Sequence, residues 1–370
     1  MTSEIQDKGG WGSGDTSYDK FVKREGVPVI RGLWVEDVMN LPLMPWPRLG
    51  GYGAYLNLTG SGINTSYIAI DAYVAEVAPA QSLKPERHVF EEIIYVLKGK
   101  GTTVVWAADG KEQRFDWREG SLFAIPLNAR HQLVNQDNSN PARFFACTFA
   151  PTMINLLHND KFIFDNDFAF TDRYAGEQNY FDGAGNFIDK RLLDVNFIED
   201  IRGLNAGDDD VSLLYVEMGC NTMSVHRMEF PVGTYAPAHR HEPGAHILIL
   251  SGQGYSLHWL DDKEEPLRID WQPGSVFAPP EQWYHQHFNS GPTPAKYIAF
   301  KPRGRKFRTK GKFMNNVSQR QGGTLIEYAD EHPKIRALYE SECARNSVTV
   351  NMRPVEARSE ERRVGKECRL

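Results

Sequence analysis

Two stretches of this chain repeat one another, and that repeat limits the possible folds more than any other feature. The first half contains 86-ERHVFEEIIYVLKG-99 and then 120-GSLFAIPLNARHQLVN-135. The second half contains 239-HRHEPGAHILILSG-252 and then 274-GSVFAPPEQWYHQHFN-289. Glu86 and His239 are 153 residues apart, as are His88 and His241. Gly120 and Gly274, Pro126 and Pro280, His131 and His285, and Asn135 and Asn289 are each 154 apart. Between His241 and His246 the second copy has one residue more than the first has from His88 to Glu92, which sets His246 against Glu92. Pairs matched on nearly one offset imply two copies of one domain, and 370 residues are enough chain for both.

Each copy reads as β. Residues 67–77, 92–97, 102–106 and 121–126 are short apolar or alternating runs separated by Gly, Pro and Asn; 213–230, 246–251, 255–260 and 275–280 repeat the style. Many short strands with turn residues between them predict an all-β sandwich or small barrel, not a βαβ fold. Helical pattern is confined to the periphery, at 34–41, 189–204 and 332–346. The expected organisation is an N-terminal arm with edge elements (1–60), the first copy (61–150), a connector packed over it (151–205), the second copy (206–305) and a C-terminal extension (306–357).

Residues 358–370 stand apart. RSEERRVGKECR, from Arg358 to Arg369, continues no earlier pattern and closely resembles the in-frame translation of a common sequencing-library adapter, so it is excluded from fold reasoning. It carries five positive and three negative residues, so the net charge is −6 with it and −8 without it. That acidic balance argues against nucleic acid or an anionic membrane as a partner. No apolar run approaches a bilayer span, and MTSEIQDKGGWGSGD lacks the pattern of a secretory signal. With Cys368 set aside as part of that tail, Cys147, Cys220 and Cys343 are far apart and odd in number, which predicts free thiols and a cytoplasmic setting.

The repeated segments resemble the double signature of the cupin superfamily, G-x5-HxH-x3,4-E-x6-G followed by G-x5-PxG-x2-H-x3-N. The second copy matches at Gly233, His239, His241, Gly274, Pro280, His285 and Asn289; it places His246 where Glu is expected and Gln282 where a glycine falls. The first copy matches at His88, Glu92, Gly99, Gly120, Pro126, His131 and Asn135, with Glu86 for the first His and Asn128 for the glycine. The resemblance implies a bicupin, two tandem jelly-roll β-barrels with a few peripheral helices, over about residues 60 to 305. PAHRHEPGA followed by WYHQHFN is also similar to the iron-site motifs of gentisate 1,2-dioxygenases and related ring-cleaving enzymes. That likeness implies Fe(II) held by three His, with O2 and a small aromatic hydroxy acid as co-substrates.

The residues themselves point to a metal. In a strand, i and i+2 share a face, so His239 and His241 project inward together, as do His285 and His287. Seven of the eleven His lie between His226 and His287, which a scatter of structural His does not explain. Imidazoles on facing strands suit Fe, Zn, Cu, Ni or Mn. The expected ligands are His239, His241 and His285, with His246 as a fourth ligand or a supporting group. His287 is the candidate for moving protons or orienting substrate. Arg227 is a candidate cation for a substrate carboxylate, and Trp259, Trp283, Phe277, Tyr284 and Phe300 are candidate pocket walls, with core packing as the ordinary alternative. In the first copy Glu86, His88, Glu92 and His131 form a second possible site, unless Arg87 or Lys84 neutralises Glu86. The basic run from Lys301 to Lys312 reads as a solvated loop or an oligomer contact, and a homo-oligomer is expected.

Three other functions compete with the dioxygenase. They are a Mn or Zn decarboxylase, isomerase or aminohydrolase; a noncatalytic ligand-binding bicupin; and a copper oxygenase similar to quercetinases.

Overall fold

The structure, a computed structural model, describes residues 15–58, 69–177, 180, 212–216, 218–241, 245–260, 265–303 and 317–352. The expected helix at 189–204, most of the basic run and residues 358–370 lie outside them. The chain opens with α1 (Ser17–Glu25), β1 (Val29–Arg31), β2 (Trp34–Val35), β3 (Met44–Trp46) and β4 (Gly51–Asn57). The first barrel continues with β5 (Asp71–Val77), β6 (Glu92–Lys98), β7 (Lys100–Trp106), β8 (Glu112–Arg118), β9 (Leu122–Ile125), β10 (Arg130–Asn135) and β11 (Ala142–Thr148). Helices α2 (Ala150–Leu157) and α3 (Asp160–Phe164) follow. The second barrel holds β12 (Ser212–Val216), β13 (Ser224–Phe230), β14 (His246–Ser251), β15 (Gly254–Trp259), β16 (Leu267–Trp271), β17 (Val276–Phe277), β18 (Tyr284–Asn289) and β19 (Ala295–Lys301). Helix α4 (Pro333–Arg345) lies in the predicted 332–346 stretch.

Each copy is a pair of facing sheets, as the turn-rich short strands imply. The first pairs a seven-stranded sheet, β1-β4-β5-β11-β6-β9 with β3 on β4, with a three-stranded sheet, β10-β7-β8. The second pairs β12-β13-β19-β14-β17-β2 with β16-β15-β18. Among the described residues no helix is long and apolar enough to cross a membrane.

The N-terminal arm gives a strand to each barrel. β1 adds parallel to β4, and β2 adds antiparallel to β17. This corrects the helix expected at 34–41. Trp34 and Val35 pair with Phe277 and Val276, the Val38 amide donates to the Gly274 carbonyl at 2.8 Å, and Asp37 Oδ1 accepts from the Met39 amide at 2.7 Å. A sheet edge thus takes the backbone groups that a helix would have paired internally.

The larger sheet of the second barrel is buried on both faces, which is why HILILS reads as a continuous apolar run. Ile247, Ile249, Phe277 and Ala299 face their own barrel interior. Leu248, Val276, Ile298 and Phe300 turn the other way and join the core of the first barrel, where Phe300 lies 5.1 Å from Phe145 between ring centres.

The backbone also corrects the alignment of the two copies. Val96 donates to the Ser121 carbonyl and Ile249 to that of Ser275; Val105 pairs with His131 as His258 pairs with His285. The 153-residue offset therefore runs on past Gly99 and Gly252 to Val105 and His258, and the extra residue of the second copy comes between His258 and Leu267. Glu92 corresponds to Ala245, and His246 corresponds to Ile93. A one-residue slip moves a strand side chain to the opposite face.

Candidate metal centres

In the first barrel Glu86 bridges to His131 across the ladder, His88 precedes β6, and Glu92 opens it. His88 Nδ1 lies 2.8 Å from the Phe90 carbonyl and His131 Nδ1 lies 3.1 Å from that of Ala129. A carbonyl only accepts, so each ring carries its proton on Nδ1 and, when neutral, turns an Nε2 lone pair inward. Those two nitrogens face Glu92 Oε2 at 3.5 and 3.8 Å, and His131 Nε2 also lies 3.9 Å from Glu86 Oε1. Lone pairs facing carboxylate oxygens in a buried site call for a proton or a cation between them.

Burial opposes ionisation of Glu92, but His88, His131 and the Tyr73 hydroxyl, which donates to it at 2.6 Å, hold its carboxyl at about 2. Burial likewise opposes a charge on His88, yet Glu92 raises its proton affinity above the ordinary value. Burial lowers that of His131.

Neither Arg87 nor Lys84 neutralises Glu86. Arg87 donates to the Asn166 carbonyl at 3.0 Å and Lys84 to that of Pro47 at 2.7 Å. The partner is Arg48, on the N-terminal arm, which pairs with Glu86 and donates from Nε to Glu25 at 2.6 Å. Its guanidinium lies 5.4 Å from both the Trp46 and Phe164 rings. Tyr55, Tyr73, Phe21 and Phe90 complete the pocket wall.

In the second barrel His239 and His285 bridge one another, and with His241 they place ligand atoms within 4.8 Å of one another. Ring centres are 4.5 Å apart for His239 and His285, 4.9 Å for His241 and His285, and 5.5 Å for His239 and His241. His239 Nδ1 faces the Pro237 carbonyl at 3.2 Å and His285 Nδ1 that of Trp283 at 3.1 Å, leaving both Nε2 atoms to converge. Burial lowers His239 to about 4 and drives His285 well below its usual range. Arg240 turns outward over the Tyr284 ring at 4.7 Å.

Other expected site residues lie elsewhere. His246 is on the reverse face of β14, between the barrels, with Nε2 3.9 Å from Asp71 Oδ1, so it is no fourth ligand. Arg227 alternates with the inward His226 and Met228 on β13; it points to the first barrel, where its charge reaches Tyr95, and lies 3.7 Å from Glu229. Trp259 and Tyr284 stack at 5.7 Å on the outer face of their sheet beneath the C-terminal extension. Phe300 lies between the barrels, and half-buried Trp283 supplies its carbonyl to His285. Phe277 does face inward, 5.7 Å from His287. His287 shares that interior, with Nδ1 2.7 Å from Ser256 Oγ. Sequence reasoning missed Arg48, which no spacing ties to the motifs. It also missed His258, which strand alternation with Ser256 would have found.

The Cupin domain family matches residues 73–148 and 226–301, the two units that carry these sites. The fold is that of a bicupin. Oxalate decarboxylase from Bacillus subtilis, in a study of its Mn(II) centres, has a similar fold: TM-score 0.50 at 15% identity, over 74% of this bicupin and 78% of that chain. The same enzyme at pH 4.6 gives 0.49 at 13%, over 74% and 77%. Auxin-binding protein T92 of Nicotiana tabacum is 26% identical over 141 residues, 36% of this chain and 71% of that protein. Auxin-binding protein 4 of Zea mays is 25% identical over 95 residues, 25% of this chain, so this bicupin spans about half (47%) of that protein's length.

The two centres should release metal at different pH. A proton competes with a metal for each imidazole. In the first barrel His88 has a raised proton affinity and His131 a lowered one, whereas in the second both His239 and His285 are lowered, so His88 is the first imidazole to take a proton. Lowering the pH from neutral should therefore empty the first barrel before the second. Metal retained on the protein across a pH series should fall in two steps, and His131→Ala should remove the step nearer neutral pH. A single step, or a variant that loses the more acidic one, contradicts this order.

Proposed function

We propose that this bicupin is a metal-dependent enzyme of the non-oxygenase kind, acting on a small carboxylate-bearing substrate at the first-barrel site. Decarboxylation or isomerisation is the reaction class. The observation that carries this reading is Glu92, a buried carboxylate facing the inward nitrogens of His88 and His131. The residues fit a cation: two carboxylates and two imidazoles with backbone-fixed tautomers favour a hard divalent ion such as Mn, with Zn as the other candidate. Held by Glu86, His88, Glu92 and His131, such an ion would supply Lewis-acid polarisation of a substrate oxygen.

The chain's own groups set the rest of the chemistry. Tyr73 donates to Glu92 Oε1 and fixes that carboxylate. Glu25, Glu86 and the aromatic rings hold Arg48 beside the site, where its charge offsets that of the two carboxylates and fixes Glu86. Phe21, Phe90 and Tyr55 limit water around the reacting carbon.

A second reading, the Fe(II) dioxygenase, is favoured by the all-imidazole set His239, His241 and His285, whose neutral ligands leave an ion its full double charge. Anaerobic turnover separates the two. Protein loaded with Mn(II) or Zn(II) should convert a member of a small-carboxylate panel, followed by NMR, without O2. Turnover only with stoichiometric O2 uptake, lost in His285→Ala, would establish the dioxygenase instead.

A further inference from the structure

The segment that carries His239 and His241 lies between β13 and β14 and belongs to neither, yet its backbone is held along both edges. On one edge the His239 amide donates to the His285 carbonyl at 3.1 Å, and the His285 amide donates back to the His239 carbonyl at 2.9 Å. The other edge meets the C-terminal extension. The Ile326 amide donates to the Ala238 carbonyl at 2.8 Å, the Arg240 amide to the Thr324 carbonyl at 3.2 Å, and the Thr324 hydroxyl to the Arg240 carbonyl at 2.7 Å. His239 therefore bridges to both His285 and Leu325. The Ala238 carbonyl belongs to the peptide that enters His239, and the Arg240 carbonyl to the one that enters His241. Both peptides that aim these ligands are thus fixed from outside the barrel.

The extension is a firm support. The Leu325 amide donates to the Val317 carbonyl at 3.1 Å, and the Gln319 amide donates to the Leu325 carbonyl at 2.8 Å, so the chain doubles back on itself. Gly322 makes that return with φ at +80°, and a Cβ on Gly323 would collide with the Val317 backbone. The Gln319 side chain also bonds the hydroxyl of Tyr284, the residue before His285. The first barrel is braced from the other end of the chain. Its Pro85 and Arg87 correspond to Ala238 and Arg240; beside them the Lys84 amide donates to the Leu49 carbonyl of the N-terminal arm at 2.6 Å, and Arg48 pairs with Glu86. Each centre draws support from chain outside its own barrel.

We propose that residues 324–326 are a positioning element for the second metal centre, and that the Thr324 hydroxyl holds the backbone between His239 and His241 in ligating geometry. Groups that only orient a ligand still govern how tightly the metal is held. The coupling runs both ways: a bound ion favours the docked extension as much as the docked extension favours the ion. The inference concerns the second barrel and is independent of the reaction proposed for the first.

The test titrates Zn(II) against a chromogenic chelator in the full-length His131→Ala chain, so that uptake reports on the second barrel. Thr324→Val keeps the shape and loses the hydroxyl, and should weaken Zn binding about tenfold. Thr324→Ser keeps the hydroxyl and should bind Zn as the His131→Ala chain does. A role in stability alone would lower the unfolding midpoint and leave Zn affinity unchanged. Hydrogen exchange of residues 317–328 in the His131→Ala chain is the second readout, and decides the matter if Thr324→Val does not fold: Zn should slow it about fivefold or more. Equal Zn affinity in the folded Val and Ser variants, exchange indifferent to Zn, or no Zn uptake overturns the assignment.

Discussion

Replacing His131 by alanine is expected to cut turnover by about a hundredfold or more, because even groups that only orient a metal ligand are worth 10–100-fold. The same change should remove the cation from the first barrel. His131 is the ring that closes the site: its Nε2 reaches both Glu92 and Glu86, and its Nδ1 is fixed by the Ala129 carbonyl. The barrel itself should survive, since the β10–β7 ladder that carries His131 is made by backbone groups. Steady-state rates with the Mn-loaded protein check the first part and metal analysis of the same sample checks the second. A variant that keeps its metal and its rate would mean that Glu86, His88 and Glu92 act without it.

The largest loss of stability is expected at a residue far from either centre. Phe300→Ala should cost about 3–5 kcal/mol, the usual range for truncating a fully buried aromatic. Phe300 is 0% exposed and contacts the ring of Phe145 from the opposite barrel, so the cavity opens where the two units join. The barrels cannot close it independently, because both faces of the intervening sheet are already packed. Urea unfolding read by tryptophan fluorescence should show a lower midpoint. A shift within a few tenths of a kcal/mol would mean that the barrels are stabilised separately.

The duplication, the all-β architecture and the convergence of His239, His241 and His285 could all be read from the sequence. A strand's period of two and the spacing of the repeat carry that information directly. The same periodicity also misled. Where the repeat was interrupted by one residue, motif matching placed the gap before His246, whereas the hydrogen bonds of Val96 and Ile249 place it after His258. That slip turned an interface histidine into an apparent ligand. Arg227 and Trp259 failed for a related reason: their faces follow from which side of a sheet meets the neighbouring barrel or the C-terminal extension, and no local pattern encodes that. Arg48 was invisible because it reaches Glu86 from an arm 38 residues earlier in the chain. The helix expected at 34–41 fell to a tertiary effect, the exposed edge of β17.

The central claim is that imidazoles in each barrel converge on a cation. Metal content per chain, measured on anaerobically purified protein and its two variants, tests it most directly. The account predicts about two equivalents in the parent and about one in each of His131→Ala and His285→Ala, all three folded. Metal content unchanged by both substitutions would contradict it.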